Sequence, residues 1–262
     1  MVEVSIILPI FNAERIVQDN IKALHRFLCR YYQSFEIIAV DDGSSDGTAA
    51  RLGNLDLPGL HVVRLDKNLG KGNAVACGMR EAHGRCRIFT DIDLPYELTA
   101  IPVCTGLIND RQFHVVAGDR TLPGSNYYDQ VGRFRAVGSR LFATVIRLAV
   151  TGEMYDTQCG LKAFRDDIAR ELFPMLRLKD FSFDVEILYI ALKYNMEIRR
   201  IPVRYRPSSR TSVRPLHDGL SMLFSVARLP WYYRQGAYDN ERLRTICWLR
   251  YWEQGETSLS EN

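Results

Sequence analysis

Cys86-Arg87-Ile88-Phe89-Thr90-Asp91-Ile92-Asp93 runs from an apolar stretch straight into two carboxylates. The apolar part has the length of a buried strand, so the acids fall at a strand's carboxyl end. In open α/β sheets that edge is where ligands bind. A hard cation such as Mg2+ takes oxygen ligands and is commonly shared between one or two carboxylates and substrate phosphates. Asp-x-Asp at this place therefore suits a cation that holds a diphosphate. A second apolar run, Phe35-Glu36-Ile37-Ile38-Ala39-Val40, ends the same way, in Asp41-Asp42-Gly43-Ser44-Ser45-Asp46-Gly47-Thr48.

Working outward, residues 2–10 and 61–65 read as further strands. Residues 13–32 carry helical periodicity through Ile16, Ile21, Leu24, Phe27 and Leu28. Residues 48–55 read as a short helix with Ser45 or Asp46 as N-cap, and residues 74–83 as another. This alternation, kept up to about residue 93, predicts a largely parallel α/β sheet. Beyond it the rhythm changes: strands at 113–118 and 196–205, helices at 137–150 and 183–194. No internal repeat is visible.

The chain has 262 residues, 47% of them hydrophobic, enough for a sizeable core in one large domain or two small ones. A net charge of +3 gives no argument for nucleic acid as a partner. The charge is unevenly placed, however. Arg199, Arg200, Arg204, Arg206, Arg210 and Arg214 fall within residues 199–214, which contain no acid. Such a run is either a solvated face or a surface for phosphate or an anionic membrane. The six cysteines form no Cys-x-x-Cys pair and no zinc spacing, so reduced, mostly buried thiols in a cytoplasmic protein are expected. No apolar stretch reaches the ~18–20 residues a spanning helix needs. Membrane contact would therefore be peripheral.

Individual motifs suggest individual contacts. The carboxylates of Asp41 and Asp42 can accept from a base edge and from ribose hydroxyls; an Asx-rich turn that caps a helix is the plainer alternative. Asn68-Leu69-Gly70-Lys71-Gly72-Asn73 places two glycines and a lysine at a helix start, where free N–H groups bind anions. The P-loop spacing is absent.

Taken together, Ile7-Leu8-Pro9-Ile10-Phe11-Asn12-Ala13-Glu14, the Val40–Thr48 turn, Asn68–Gly72 and Asp91-Ile92-Asp93 closely resemble the inverting family 2 glycosyltransferases of GT-A fold. Within that family the chain looks most like the polyprenyl-phosphate sugar transferases, the dolichyl-phosphate glucosyl- and mannosyltransferase group. Later segments fit too: Gly118-Asp119-Arg120, Arg133-Phe134-Arg135, Asp156-Thr157-Gln158-Cys159-Gly160-Leu161-Lys162-Ala163-Phe164 and Phe181-Ser182-Phe183-Asp184-Val185-Glu186. The resemblance covers about residues 2–235. It implies a Rossmann-like nucleotide-diphospho-sugar transferase, with a mostly parallel sheet flanked by helices and a role in glycan or cell-envelope synthesis.

The resemblance also implies roles. Pro9, Phe11 and Glu14 would flank the nucleotide base, Asp41 would read it and Asp42 would hold the ribose. Asp91 and Asp93 would hold Mg2+ or Mn2+ on the donor diphosphate, and Lys71 is counted among the nucleotide-sugar-binding residues. Arg120, Arg133 and Arg135 would receive the acceptor phosphate, and Arg210 and Ser212 would lie near the donor diphosphate. One departure is Pro95, where some relatives carry a polar residue that supports the metal. A phosphate acceptor is already an anion near neutral pH and needs positioning cations. A hydroxyl acceptor would need a general base, for which Asp156 is the candidate, or else Asp156 is a structural carboxylate.

The expected organisation is a catalytic domain over residues 1–213, an amphipathic, aromatic and membrane-interfacial segment over 214–253, and a disordered tail over 254–262. Two apolar-plus-basic stripes carry the interfacial expectation. One is Leu141, Phe142, Val145, Ile146, Leu148 and Ala149 with Arg140 and Arg147. The other is Leu220, Met222, Leu223, Phe224, Val226, Leu229, Trp231, Tyr232 and Tyr233 with Arg228 and Arg234. Packing on the protein's own sheet, or on a second copy in a homo-oligomer, would explain the same stripes. The competing functions are a glycosyltransferase that extends a glycan at a hydroxyl and a non-catalytic nucleotide-sugar-binding protein. A phosphatase of the Asp-x-Asp type is disfavoured by Pro95 and by the mid-chain position of the motif.

Overall fold

β1 (Val4–Ile10) is buried along its whole length. Val4, Ile6, Leu8 and Ile10 join one apolar cluster and Ile7 the other, as in a strand covered on both faces. The computed structural model describes residues 1–126, 156–206, 222 and 224–248. β2 (Phe35–Asp41) pairs parallel with one edge of β1, and β3 (Leu60–Arg64) pairs parallel with β2. β4 (Cys86–Phe89) pairs parallel with the other edge of β1. The register sets Ile10 beside Asp41 and Ile7 beside Phe89, so both acidic turns emerge at one end of the sheet.

α1 (Val17–Tyr31) buries Val17, Ile21, Leu24 and Leu28 on the Ile6 side. That spacing lays one stripe along the helix, each side chain contributing roughly 1.5–3 kcal/mol through burial. α2 (Thr48–Gly53) follows the first acidic turn. Its N-cap residue is Gly47, while Asp46 Oδ1 accepts from the Thr48 N–H at 3.0 Å and so supplies the expected capping carboxylate. α3 (Lys71–Glu81) covers the opposite face with Ala74 and Val75.

The remaining strands depart from simple alternation. After α4 (Ala100–Asn109) comes β5 (Val115–Asp119), and later β6 (Lys162–Arg165) and β7 (Ile198–Pro202). β6 is antiparallel to both β4 and β5, and the sheet order is β3-β2-β1-β4-β6-β5-β7. β6 has no counterpart among the expected strands, and β7 is shorter than the predicted 196–205. Because β6 runs backwards, Lys162 lies opposite Phe89, and the turn preceding it returns to the Asp91 edge.

α5 (Asp166–Leu172) and α6 (Phe183–Lys193) complete the Ile7 face, joined by α7 (Leu229–Arg234) and a helix at 241–248. In the expected 220–233 stripe, Met222, Val226 and Leu229 are buried in the protein's own core, whereas Phe224, Trp231 and Tyr233 are exposed. The stripe is thus divided between core and surface. Leu220 and Leu223, the whole 140–149 stripe and the 254–262 tail lie outside the described residues. No helix among the described residues is long and apolar enough to cross a membrane. All six cysteines are free, four of them buried.

Candidate active site

The carboxyl ends of β1, β2 and β4, the end of β5 and the turn before β6 meet at one edge. Phe11 stands at its rim, 47% exposed, next to buried Pro9. The following loop is laced to the β2 turn. Asn12 N–H donates to Ser44 Oγ at 2.9 Å, Ala13 N–H to Thr48 Oγ1 at 2.8 Å, and Gly47 N–H to Glu14 Oε2 at 3.2 Å. Glu14 therefore acts here as a loop tie.

Asp41 is fully buried at the end of β2. Its Oδ1 accepts from Ser44 N–H at 3.0 Å, while Oδ2 has no hydrogen bond and faces Arg64 Nε at 3.8 Å. A buried acceptor left open costs free energy unless something donates to it, and an imide N–H of a nucleobase has the required chemistry. Asp42 is engaged differently. Its two oxygens accept from Leu69 N–H at 2.8 Å and Gly70 N–H at 2.9 Å. Gly72 N–H donates to Lys179 O at 2.8 Å. The N–H groups of Leu69, Gly70 and Gly72 are thus taken within the protein and do not serve an anion. Gly70 is required there, since its φ is 96° and a Cβ would collide with the Lys179 carbonyl.

Lys71 instead points its ammonium at the Asp-x-Asp. Nζ lies 2.6 Å from Asp91 Oδ1, with Lys71 15% and Asp91 34% exposed. Desolvation works against this ammonium, but Asp91, then Asp184 and Asp93, outweigh it and hold its pKa above the ordinary lysine value. The Asp91–Asp93 turn is pinned by Leu94 N–H donating to Asp91 O and by Asn20 Nδ2 donating to Ile92 O. Gly160 presses on Asp91 from the other side: a Cβ there would sit 3.0 Å from Asp91 Cγ and closer still to Oδ2.

The floor beneath is a buried ion pair that the motifs did not announce. Lys162 Nζ, wholly buried, donates to Asp184 Oδ1 at 2.6 Å, Cys159 O at 2.9 Å and Thr157 O at 3.1 Å. It thereby fixes the 157–160 turn that carries Gly160. The signal was the pair of motif residues Lys162 and Asp184, each apolar in context yet charged. The wall behind Lys71 rests on Glu186, whose oxygens accept from the N–H groups of Arg177 and Leu178 and from Tyr238 Oη at 2.6 Å. Burial pushes the Glu186 carboxyl above its ordinary pKa against these hydrogen bonds. Tyr238→Phe is expected to cost about 1–3 kcal/mol, the penalty for an unsatisfied buried acceptor, as a lower urea midpoint with an unchanged m-value.

On the β5 side, Arg120 and Asp156 form a bidentate pair. Arg120 Nε donates to Oδ2 at 2.8 Å and Nη2 to Oδ1 at 2.7 Å, and the Arg120 N–H also reaches Oδ2. Desolvation raises the Asp156 pKa, but the Arg120 guanidinium more than offsets it, leaving the carboxyl below its ordinary value. Such a carboxylate is a weak proton acceptor, which suits the structural alternative for Asp156 better than the general-base one. The basic strand end is tied to the same place: Glu97 N–H donates to Arg204 O and Arg206 N–H to Pro95 O. Arg204 and Arg206 are exposed there. Arg133, Arg135, Arg210 and Ser212 lie outside the described residues. A cavity of about 640 Å3 lined by His114, Tyr194, Tyr233 and Trp248 is elsewhere, toward the opposite ends of β5 and β7.

Comparison with known proteins agrees with this geometry. The chain is 30% identical to the dolichyl-phosphate beta-glucosyltransferase of Drosophila melanogaster, over 84% of this chain and 72% of that one. It is 28% identical to the enzyme of the same name from Dictyostelium discoideum, over 89% and 76%. Its fold matches glucosyl-3-phosphoglycerate synthase of Mycobacterium tuberculosis, solved with Mn2+, UDP and glucosyl-3-phosphoglycerate. The TM-score is 0.63 and the identity 19%, over 89% of this chain and 80% of that one. The family model for glycosyl transferase family 2 matches residues 5–173, from β1 through the Asp-x-Asp to the Asp156–Lys162 segment. By that match and by the GT-A sheet that carries these carboxylates, the chain belongs to glycosyl transferase family 2.

Proposed function

We propose that this protein transfers a sugar, with inversion, from a uridine-diphosphate sugar to a polyprenyl phosphate at a membrane surface. The observation that carries the donor is Asp41 Oδ2, a buried carboxylate oxygen without a hydrogen bond, beside exposed Phe11. It suits the imide N–H of uracil, with the aromatic ring available for stacking. The relatives named as dolichyl-phosphate beta-glucosyltransferases favour a glucosyl donor and a polyprenyl-phosphate acceptor.

The donor set also fits a divalent ion. Asp91 and Asp93 are two carboxylates on one turn, and no group of three or more metal-type side chains occurs among the described residues. Two carboxylates leave room for the oxygens of a diphosphate and water, the usual surroundings of Mg2+ or Mn2+. Bound there, the ion would stabilise the charge that grows on the departing diphosphate. Lys71 supplies a further cation on the same side, and cationic groups at developing charge lower the barrier.

The acceptor phosphate is already anionic and needs cations that orient it toward the sugar face opposite the leaving group. Arg133 and Arg135, with Arg204 and Arg206 at the rim, are assigned to this. Asp156 keeps Arg120 in place and takes no proton. That arrangement disfavours a hydroxyl acceptor, which would need a base. Peripheral attachment is assigned to exposed Phe224, Trp231 and Tyr233 with Arg228 and Arg234, an interfacial combination of side chains.

The test is nucleoside diphosphate release by purified protein with a divalent ion, a panel of UDP- and GDP-sugars, and short-chain polyprenyl phosphate or hydroxyl acceptors. UDP release that requires the lipid phosphate is expected. Release with hydroxyl acceptors alone, or from GDP-sugars alone, would overturn the acceptor or the donor assignment respectively. No release from any donor would favour a binding protein.

A further inference from the structure

Asp91 is held between a cation and a backbone. Its Oδ1 contacts the Lys71 ammonium at 2.6 Å and its Oδ2 packs on Gly160. Lys71 has little choice of place, because its backbone is anchored through Gly72 N–H on Lys179 O. The rings of Phe181 and Phe183 lie 5.7 and 5.9 Å from Nζ. Asp184, the other acid near it, already has Lys162 at 2.6 Å. Asp91 is therefore the principal anionic partner of Lys71, and Lys71 covers the oxygen a divalent ion would take. Two cations on one carboxylate oxygen repel strongly away from bulk water.

We propose that Lys71 is a built-in counter-cation that couples ion binding to donor binding. A free divalent ion must displace the ammonium from Asp91. A diphosphate offers the ammonium a second anion, with donors that swing freely about Nζ, and so releases Asp91 to the ion. By linkage the ion and the nucleoside diphosphate then strengthen each other by one common factor. The inference rests on the proposal that Asp91 and Asp93 hold the ion together with the donor diphosphate.

The test measures Mn2+ binding from the electron paramagnetic resonance signal of the free ion, with and without UDP, and needs no turnover. In the wild-type protein UDP is expected to tighten Mn2+ binding about tenfold or more. In Lys71→Gln and Lys71→Met, Mn2+ alone is expected to bind about tenfold more tightly than to wild type, and the enhancement by UDP to shrink by about the same factor, leaving only the share that comes from diphosphate oxygens on the ion itself. Lys71→Arg, which keeps the charge, retains the enhancement. Both neutral variants are measured, with thermal unfolding, so that one folded variant suffices. Wild-type coupling with neutral variants that bind Mn2+ no more tightly and keep the full enhancement overturns the counter-cation role and leaves the ion site standing. A wild-type protein that binds no Mn2+ even with UDP overturns the ion site, and this inference with it.

Discussion

Gly160→Ala is expected to lower kcat by about 100-fold or more while moving the thermal midpoint by less than about 4 °C, the equivalent of roughly 1 kcal/mol in a chain of this size. The three atoms nearest the added methyl would all belong to the Asp91 carboxylate. Asp91 is about a third exposed (34%), so its carboxylate can shift toward solvent while staying within reach of the Lys71 ammonium, at small cost to the fold. The glycine's φ lies outside the left-handed region, so alanine brings no backbone strain. What changes is the position of a carboxylate assigned to the donor diphosphate, and displacements near 1 Å in such groups are costly to rate. Steady-state kinetics beside a thermal melt decides the matter. A variant with wild-type kcat would mean that the position of Asp91 does not limit the reaction.

Asp156→Asn is expected to cost about 3–5 kcal/mol, as when a buried pair loses one charge and strands the other. In a protein of this size that is a fall of roughly 6–20 °C in the thermal midpoint. The Arg120 guanidinium would remain buried with an amide where it had a bidentate carboxylate. The sign of the pH dependence follows from the lowered pKa. In the folded state Asp156 binds protons less readily than in the unfolded chain. Its contribution is therefore present above the ordinary carboxylate range, about pH 4, and is lost as pH falls toward the folded-state value. Wild-type protein should lose this stability in acid, and Asp156→Asn should show a flatter acid limb. A variant as stable as wild type but inactive with every acceptor would instead restore Asp156 as a general base.

β1, β2 and β4 were legible in the chain because they are buried on both faces. Such strands read as continuous apolar runs, as in Ile6-Ile7-Leu8 and Ile37-Ile38-Ala39-Val40. β2 and β4 are closed by acids, so there strand ends and site positions coincide. β6 was not legible: it is four residues long and starts and ends on Lys162 and Arg165. Its apolar signal is two residues, Ala163 and Phe164, and only its neighbours show that it is a strand. α4 begins Ala100-Ile101-Pro102, where proline at an early helical position reads equally as a loop. The charges of Lys162, Asp184 and Glu186 belong to recognisable motifs, yet their partners are 22 and 52 residues away. Such pairings appear only once the chain is folded. The same applies to the hydrogen bonds by which Asp42 holds the 69–70 backbone.

The backward strand β6 has a consequence for the order in which the protein is made. β5 touches the rest of the sheet only through β6 and β7. A nascent chain that has emerged through residue 89 already contains β1 to β4, a parallel four-stranded unit paired within itself except at the outer edge of β4. Among the described residues, 115–119 emerge next and have no strand to join until 162–165 follow. At about 5–20 residues per second of synthesis, that wait lasts on the order of several seconds, during which β4 presents an unpaired edge. The four parallel strands and the strands after them are thus successive events on the ribosome, and the short strand that joins them is the step at which a newly made chain is most exposed to mispairing.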